Sequence, residues 1–332
     1  MLKKFIFFII LFCLTNSNAQ KDFSPNGTPY FKVFWNYHSD FTKEVEQNSA
    51  FELKRAYLGY AYVFSNNISA KITYDVSSNS AGSAYTAYVK IAQLDWNLNP
   101  KIKLSFGLIS TKQFQEQKEL WGYRYVIKTF QNEYEFGTSA DLGFNSEFTI
   151  TPELKINLFM LNGEGNKSLQ DNDGNQRTGI SLMYSLPRGF LTKFYYDSHP
   201  IPQSNSITNI SFYLGYKSAE SRLGIEYNKL NNARTFKSAE NDYNREGGSL
   251  YGSKKISNKY EIFARYDQIS SNVLSSESNS WNYNNDGSLI ILGTQYQVIK
   301  GFKLNLNYRL FNYKNSIINN KSALYLNAEF KI

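Results

Sequence analysis

The sequence holds two histidines, His38 and His199. Hydrolytic chemistry needs a nucleophile within reach of a base, and a third group that orients the base. Ser198 and His199 are adjacent, with Pro200 next, which reads as a turn rather than a catalytic pair. Both histidines are expected in loops. The single cysteine, Cys13, excludes a disulfide framework and a thiolate metal site. Asp171-Asn172-Asp173-Gly174-Asn175 opens like an oxygen-rich calcium loop but lacks the distal glutamate that completes one. Asn and Asp beside Gly are ordinary hairpin chemistry. No Gly-rich phosphate loop or nucleotide fingerprint occurs. Neither catalytic residues, nor a metal, nor a cofactor is therefore expected.

The chemistry on offer is charge at alternate positions. Arg55, Lys71, Lys103, Lys155, Lys193, Arg222, Arg265, Lys303 and Arg309 are basic, and Asp75, Glu147, Asp197, Glu226 and Asp267 acidic. Each falls on the polar side of a segment whose other side is apolar. Opposite signs recur along one segment, as in Lys71 with Asp75, Lys193 with Asp197 and Arg265 with Asp267. Such rows act in one of two ways. They set ion selectivity through their summed potential in a water-filled lumen, or they form ion-pair networks that close it.

The elements that carry these charges have a period of two. Phe302, Leu304, Leu306, Tyr308 and Leu310 oppose Lys303, Asn305, Asn307 and Arg309. A strand separates the two sets, whereas a helix would smear them. Ala70, Ile72, Tyr74 and Val76 oppose Lys71, Thr73 and Asp75 in the same way. The same test gives sixteen strands. The first eight lie near 30–37, 50–64, 68–77, 84–96, 102–109, 139–150, 154–162 and 176–185. The rest lie near 190–197, 206–216, 221–229, 247–256, 259–269, 288–298, 302–313 and 321–332. Alternation is poorest at 84–96 and 247–256.

Connections alternate too. Tight turns such as Ser65-Asn66-Asn67 and Thr151-Pro152-Glu153 take turns with longer loops, the longest at 110–138. Alternating short and long connections between strands of about 9–11 residues is the layout of an antiparallel transmembrane β-barrel, with periplasmic turns and extracellular loops. Aromatics fit this, at 17% of the chain with 26 Tyr and 25 Phe, because they gather at the two membrane interfaces. Closure requires the first strand to pair with the last.

Residues 1–19 read as a signal peptide. Lys3 and Lys4 precede an apolar run from Phe5 to Leu14, and Ser17-Asn18-Ala19 suits cleavage. Residues 20–332 are then the barrel of the outer membrane, in contact with its lipid. A formal net charge of +8 points to anions rather than to nucleic acid on an exported chain. The loop 110–138 mixes helix formers with aromatics. It is expected to fold inward and narrow the lumen, with Lys112, Lys118, Arg124 and Lys128 facing Glu116, Glu119, Glu133 and Glu135. An external helical cap is the alternative.

Several short motifs resemble the phosphate-selective porin O and P family of Gram-negative outer membranes. They are Phe51-Glu52-Leu53-Lys54-Arg55-Ala56-Tyr57-Leu58-Gly59, Gly107, Asp141-Leu142-Gly143, Met160-Leu161-Asn162-Gly163-Glu164-Gly165 and Ala264-Arg265-Tyr266-Asp267. The composition is similar to that of Bacteroidetes members. The resemblance implies a sixteen-stranded channel, an inward third loop and a homotrimer. The family's dense basic ladder is not matched, because both signs are mixed here, and no phosphate-binding residue is carried over. Arg55 and Arg265 are lumen candidates on both grounds. Two functions stand open: a passive diffusion channel for small polar or anionic solutes, and a non-conducting barrel with a structural, adhesive or secretion-partner role.

Overall fold

The computed structural model describes residues 24–44, 48–77, 85–170 and 173–332. The signal peptide expected at 1–19, the loop expected at 78–83, and Asp171-Asn172 lie outside the described residues.

All sixteen expected strands form. They begin with β1 (Asn26–Asp40), β2 (Ser49–Val63), β3 (Ile68–Ser77), β4 (Thr86–Asn99) and β5 (Ile102–Ser110). After the long loop come β6 (Ala140–Thr149), β7 (Leu154–Leu161), β8 (Arg177–Ser185), β9 (Phe190–His199), β10 (Ile207–Lys217) and β11 (Ser221–Asn231). The next loop adds an unforeseen hairpin of β12 (Ala233–Thr235) and β13 (Ser238–Ala239). The set ends with β14 (Arg245–Lys255), β15 (Tyr260–Ser271), β16 (Gly287–Ile299), β17 (Phe302–Tyr313) and β18 (Lys321–Lys331). Apart from the β12–β13 hairpin these close into one antiparallel barrel in which β1 pairs with β18. Closure leaves no strand edge to face hydrocarbon, where an unpaired backbone group is costly.

The histidines are not in loops. His38 lies on β1 and His199 on β9, because these strands run beyond the ends that alternation marks. Consecutive strand residues face opposite ways. His199 is buried inward against Arg177, and Ser198 points away, so the two form no catalytic pair.

The tight turns are set by local side chains. The hydroxyls of Ser65, Thr151, Ser218 and Ser257 each accept a bond from the backbone N–H three residues on, at 2.9–3.2 Å. Asn99 Oδ1 accepts from Lys101 N at 2.9 Å. Such short polar side chains stand in for a backbone acceptor and fix the hairpin.

Outward faces carry the apolar residues, with Leu58, Ile225, Phe212, Leu250 and Leu292 each more than half exposed. Inward faces are not uniformly polar. Tyr213, Tyr251, Phe263, Leu289 and Ile291 point inward and are buried under the long loop. Two β-bulges inside the strands break the parity, besides register shifts beside the turns at Asn97/Asn99 and Gln297/Ile299. Opposite Phe34 and Trp35 the partners are Arg55 and Leu53, so Lys54 is the extra residue on β2. Opposite Thr73 and Tyr74 they are Ile91 and Val89, so Lys90 is the extra residue on β4. A bulge sets two residues against one and re-aims side chains. That is why β4 alternates poorly, and why the outward set of β2 changes from Phe51 and Leu53 to Leu58 and Tyr60. In β14 the cause is different: Gly and Ser occupy many positions, and Leu250 is the one large aliphatic residue facing out.

Replacing Leu292, mid-strand and outward, by Arg should lower folding stability in phospholipid vesicles by about 2–4 kcal/mol. Urea titration of the vesicle-inserted protein reads this, and an unchanged midpoint would mean that this face does not meet hydrocarbon.

Candidate functional site

The loop after β5 folds into the barrel. It carries α1 (Gln115–Trp121) and a single turn, α2 (Phe130–Glu133). Gly122 ends α1 in the left-handed conformation that favours glycine, with φ 69°, and its N–H donates to Lys118 O at 3.2 Å. A Cβ there would also lie 2.1 Å from Arg222 Nη1. Phe114, Trp121, Tyr123, Tyr125, Phe130 and Phe136 are almost wholly buried. Trp121 meets Tyr251 and Phe263 edge-on, and Tyr123 stacks on Phe263 with ring centres 4.1 Å apart.

Polar contacts from β9 round to β18 hold the loop. Arg222 donates to Leu120 O at 3.0 Å and Trp121 O at 3.3 Å, and pairs with Glu261 at 2.6 Å. Arg265 binds Asp267 through two bonds of 2.7 Å and reaches Lys128 O at 2.6 Å. Arg309 donates to Val126 O at 2.9 Å and lies over Tyr325. Lys193 reaches Lys112 O and Glu116, and Arg245 reaches Tyr134 O. Asn327 donates to Tyr125 O, Tyr251 to Gln117 O, and Tyr125 to Gln295. The loop therefore lies against the far wall, inside the barrel, and is not an external cap.

Open space remains between the loop and β1–β4. A cavity of about 580 Å³ on the turn side is bordered by Lys32, Lys71, Lys90, Lys118 and Arg124, and by the Lys303–Glu329 pair. A cavity of about 290 Å³ on the loop side is bordered by Lys54, Arg55, Lys128, Glu133 and Lys167. Phe34, Tyr57 and Arg124 border both and mark the waist. At this waist Arg55 and Lys90 share the buried Asp75, at 2.5 and 3.2 Å. Arg124 bonds Asn132 at 3.0 Å and, among the described residues, pairs with no carboxylate; nor does Lys118. Burial, then the neighbouring Arg124 charge, push the Lys118 ammonium down to about 8.

The expected residues thus divide. Arg55, Lys71, Lys118, Arg124, Lys128 and Lys303 border the open space, Lys71 with its ammonium 4.9 Å from the Tyr30 ring. Lys103 and Lys155 border a separate recess near the turns, beside Asp95 and Glu147. Lys193, Arg222 and Arg265 with Asp267 point inward but are engaged by the loop, and Arg309 is engaged by the loop while also bordering the loop-side cavity. The expected charge partners are corrected at several points. Lys112 pairs with Glu147 on the wall rather than with a loop acid, and Glu116 with Lys193. Lys71 does not pair with Asp75, nor Lys193 with Asp197, whose partner is Arg177. Four residues along a strand span about 13 Å, too far for a contact, so partners come from other strands or the loop. Arg265 with Asp267, two residues apart on one strand, and Lys128 with Glu133 within the loop pair as expected. The sequence reading missed Lys90, Lys32, Lys167 and Tyr57. The weak alternation at 84–96 was the signal for Lys90.

Neither a known family profile nor any curated protein matches the sequence. Solved structures do. Salmonella typhi OmpF in complex with daunomycin superposes with TM-score 0.71 at 12% identity, covering 92% of this chain and 97% of that one. The anion-selective porin from Comamonas acidovorans gives 0.70 at 9% identity, over 93% and 100%. The outer-membrane channel DcaP of Acinetobacter baumannii gives 0.69 at 11%, over 96% and 100%. The chain has the fold of the outer-membrane porins. At these identities the likeness is one of fold, wider than the phosphate-selective family.

Deleting 113–135 should raise single-channel conductance in planar bilayers, because the segment occupies the lumen. An unchanged value would place it outside the conducting path.

Proposed function

We propose that this protein is an outer-membrane diffusion channel whose narrowest region favours small anions, phosphate-type anions among them. One observation carries the reading. Around the open space cations outnumber carboxylates: Arg55, Lys90, Lys118 and Arg124 gather at the waist, with Lys32, Lys54, Lys71, Lys128 and Lys167 beyond it, against Asp75, Glu119, Glu133, Glu135, Glu164 and Glu329. Low-dielectric walls around such an excess focus its potential on the solute and raise the local anion concentration. Solutes are sorted by size and charge, with no bond made or broken. The similarity to an anion-selective porin supports this reading. It includes residues 1–19 as a cleaved signal and the homotrimer that the family resemblance implies, which cross-linking in detergent would check.

Reversal potentials across a potassium chloride gradient test it. The wild type should prefer chloride, and Arg124→Glu should lower that preference by at least about fivefold, the effect of a unit charge at contact distance in water. Arg265→Glu should instead loosen the loop, seen as noisier current, because Arg265 is buried behind it. Equal preference for both ions in the wild type would remove the proposal.

Lys118 adds a pH dependence. Its charge is present below about 8 and is lost above it, so anion preference should fall between pH 7 and 9. Lys118→Arg should flatten that step. A step that persists in the arginine variant would assign it to another group.

A further inference from the structure

Asp75 sits on β3 level with the waist, between its register partners Tyr57 on β2 and Tyr88 on β4. Its side chain is fully buried. Oδ2 accepts from Arg55 at 2.5 Å, the Tyr88 hydroxyl at 2.8 Å and Lys90 at 3.2 Å. Oδ1, equally enclosed, accepts no hydrogen bond among the described residues. One oxygen thus holds three donors, two of them cations, while the other holds none. Both cations also lie near the Tyr57 ring, Lys90 at 5.2 Å and Arg55 at 6.0 Å.

The three donors are not equivalent. Arg55 is a planar fork fixed a second time by the Tyr57 hydroxyl at 3.3 Å. Lys90 makes the longest bond, from the end of a flexible stem with three rotatable donors. It also borders the turn-side cavity together with Arg124 and Lys118. An anion arriving there can take a Lys90 donor while the Arg55–Asp75 pair stays closed. When the anion leaves, Asp75 Oδ2 takes the ammonium back.

We infer that Asp75 is the positioning residue of the narrow region, holding Arg55 in place and competing with the solute for Lys90. The competition keeps anion binding weak enough for release, as conduction requires. The inference rests on the anion-preferring reading above and adds a residue that touches no solute.

The test uses the full-length protein in planar bilayers at pH 7, with inorganic phosphate as a blocker of chloride current. Asp75→Asn should tighten the phosphate block by about fivefold, the effect of one unit charge at contact distance, and should lower chloride conductance. Asp75→Glu should stay near wild type. Lys90→Met, which leaves the Arg55–Asp75 pair intact, should weaken the block, and in the Asp75→Asn background should remove most of the gain. It also serves as the deciding variant if Asp75→Asn fails to insert. A wild-type block in Asp75→Asn, or in Lys90→Met, overturns the inference. A wild type without anion preference would defeat the functional proposal instead, so the two failures are distinct.

Discussion

A loop lying inside a barrel leaves carbonyl oxygens with no strand ladder to accept from, and an enclosed carbonyl without a donor is costly. Here the wall supplies the donors. Arg222, Arg265 and Arg309 reach the carbonyls of Leu120, Trp121, Lys128 and Val126, and Asn327 and Tyr251 reach those of Tyr125 and Gln117. Charged donors make the stronger kind of bond. Each guanidinium is itself balanced nearby, by Glu261, by Asp267 or by the Tyr325 ring. Everything about the passage follows from this attachment. With the loop held on the wall from β9 to β18, the space left runs along β1–β4.

The attachment has an apolar half as well. Trp121, Tyr123 and Tyr125 sit over Tyr213, Tyr251, Phe263, Leu289 and Ile291, so part of the barrel's inner wall is the floor of a small hydrophobic core. Burying a side chain of that size is worth about 1.5–3 kcal/mol. Carbonyl donors fix the path of the loop, and aromatic burial supplies much of the stability of keeping it there. The two act on the same residues: Arg222 caps the end of α1 beside Tyr123, and Arg265 reaches Lys128 O while lying over Trp121.

Strand number, antiparallel closure and the inward loop were legible because each rests on a local signal. Alternation marks strands, Ser, Thr and Asn mark turns, and an aromatic-rich long connection marks a segment that needs burial. Which charges face open water was not legible. Alternation tells inside from outside, but Lys71 and Arg265 look alike on that test, and only the loop's landing place separates them. Leu289-Ile290-Ile291-Leu292, apolar on both faces, was the readable hint that something covers the inner wall of β16. The bulges at Lys54 and Lys90 were legible only as disorder in the pattern. A bulge is one residue out of step, and a period-two test reports it as weak alternation rather than as a place.

The bulge at Lys90 helps to explain why the narrow region differs in charge from the rest of the lumen, whereas the bulge residue Lys54 pairs with Glu52 at 2.7 Å. Several inward cations elsewhere meet an acid on a neighbouring strand, as Lys103 does Asp95, Lys155 Glu147 and Arg177 Asp197, while Arg245 and Arg309 meet loop carbonyls and aromatic rings. Regular strands allow that matching because inward side chains stand in register across the sheet. An extra residue in one strand adds a side chain with no counterpart opposite. On β4 that residue is Lys90, which must share Asp75 with Arg55, while Arg124 and Lys118 enter from the loop, outside the register altogether. Charge balance in this barrel is a property of its regular ladder. The excess of positive charge collects where the ladder is broken and where a segment that never belonged to it comes closest to the wall.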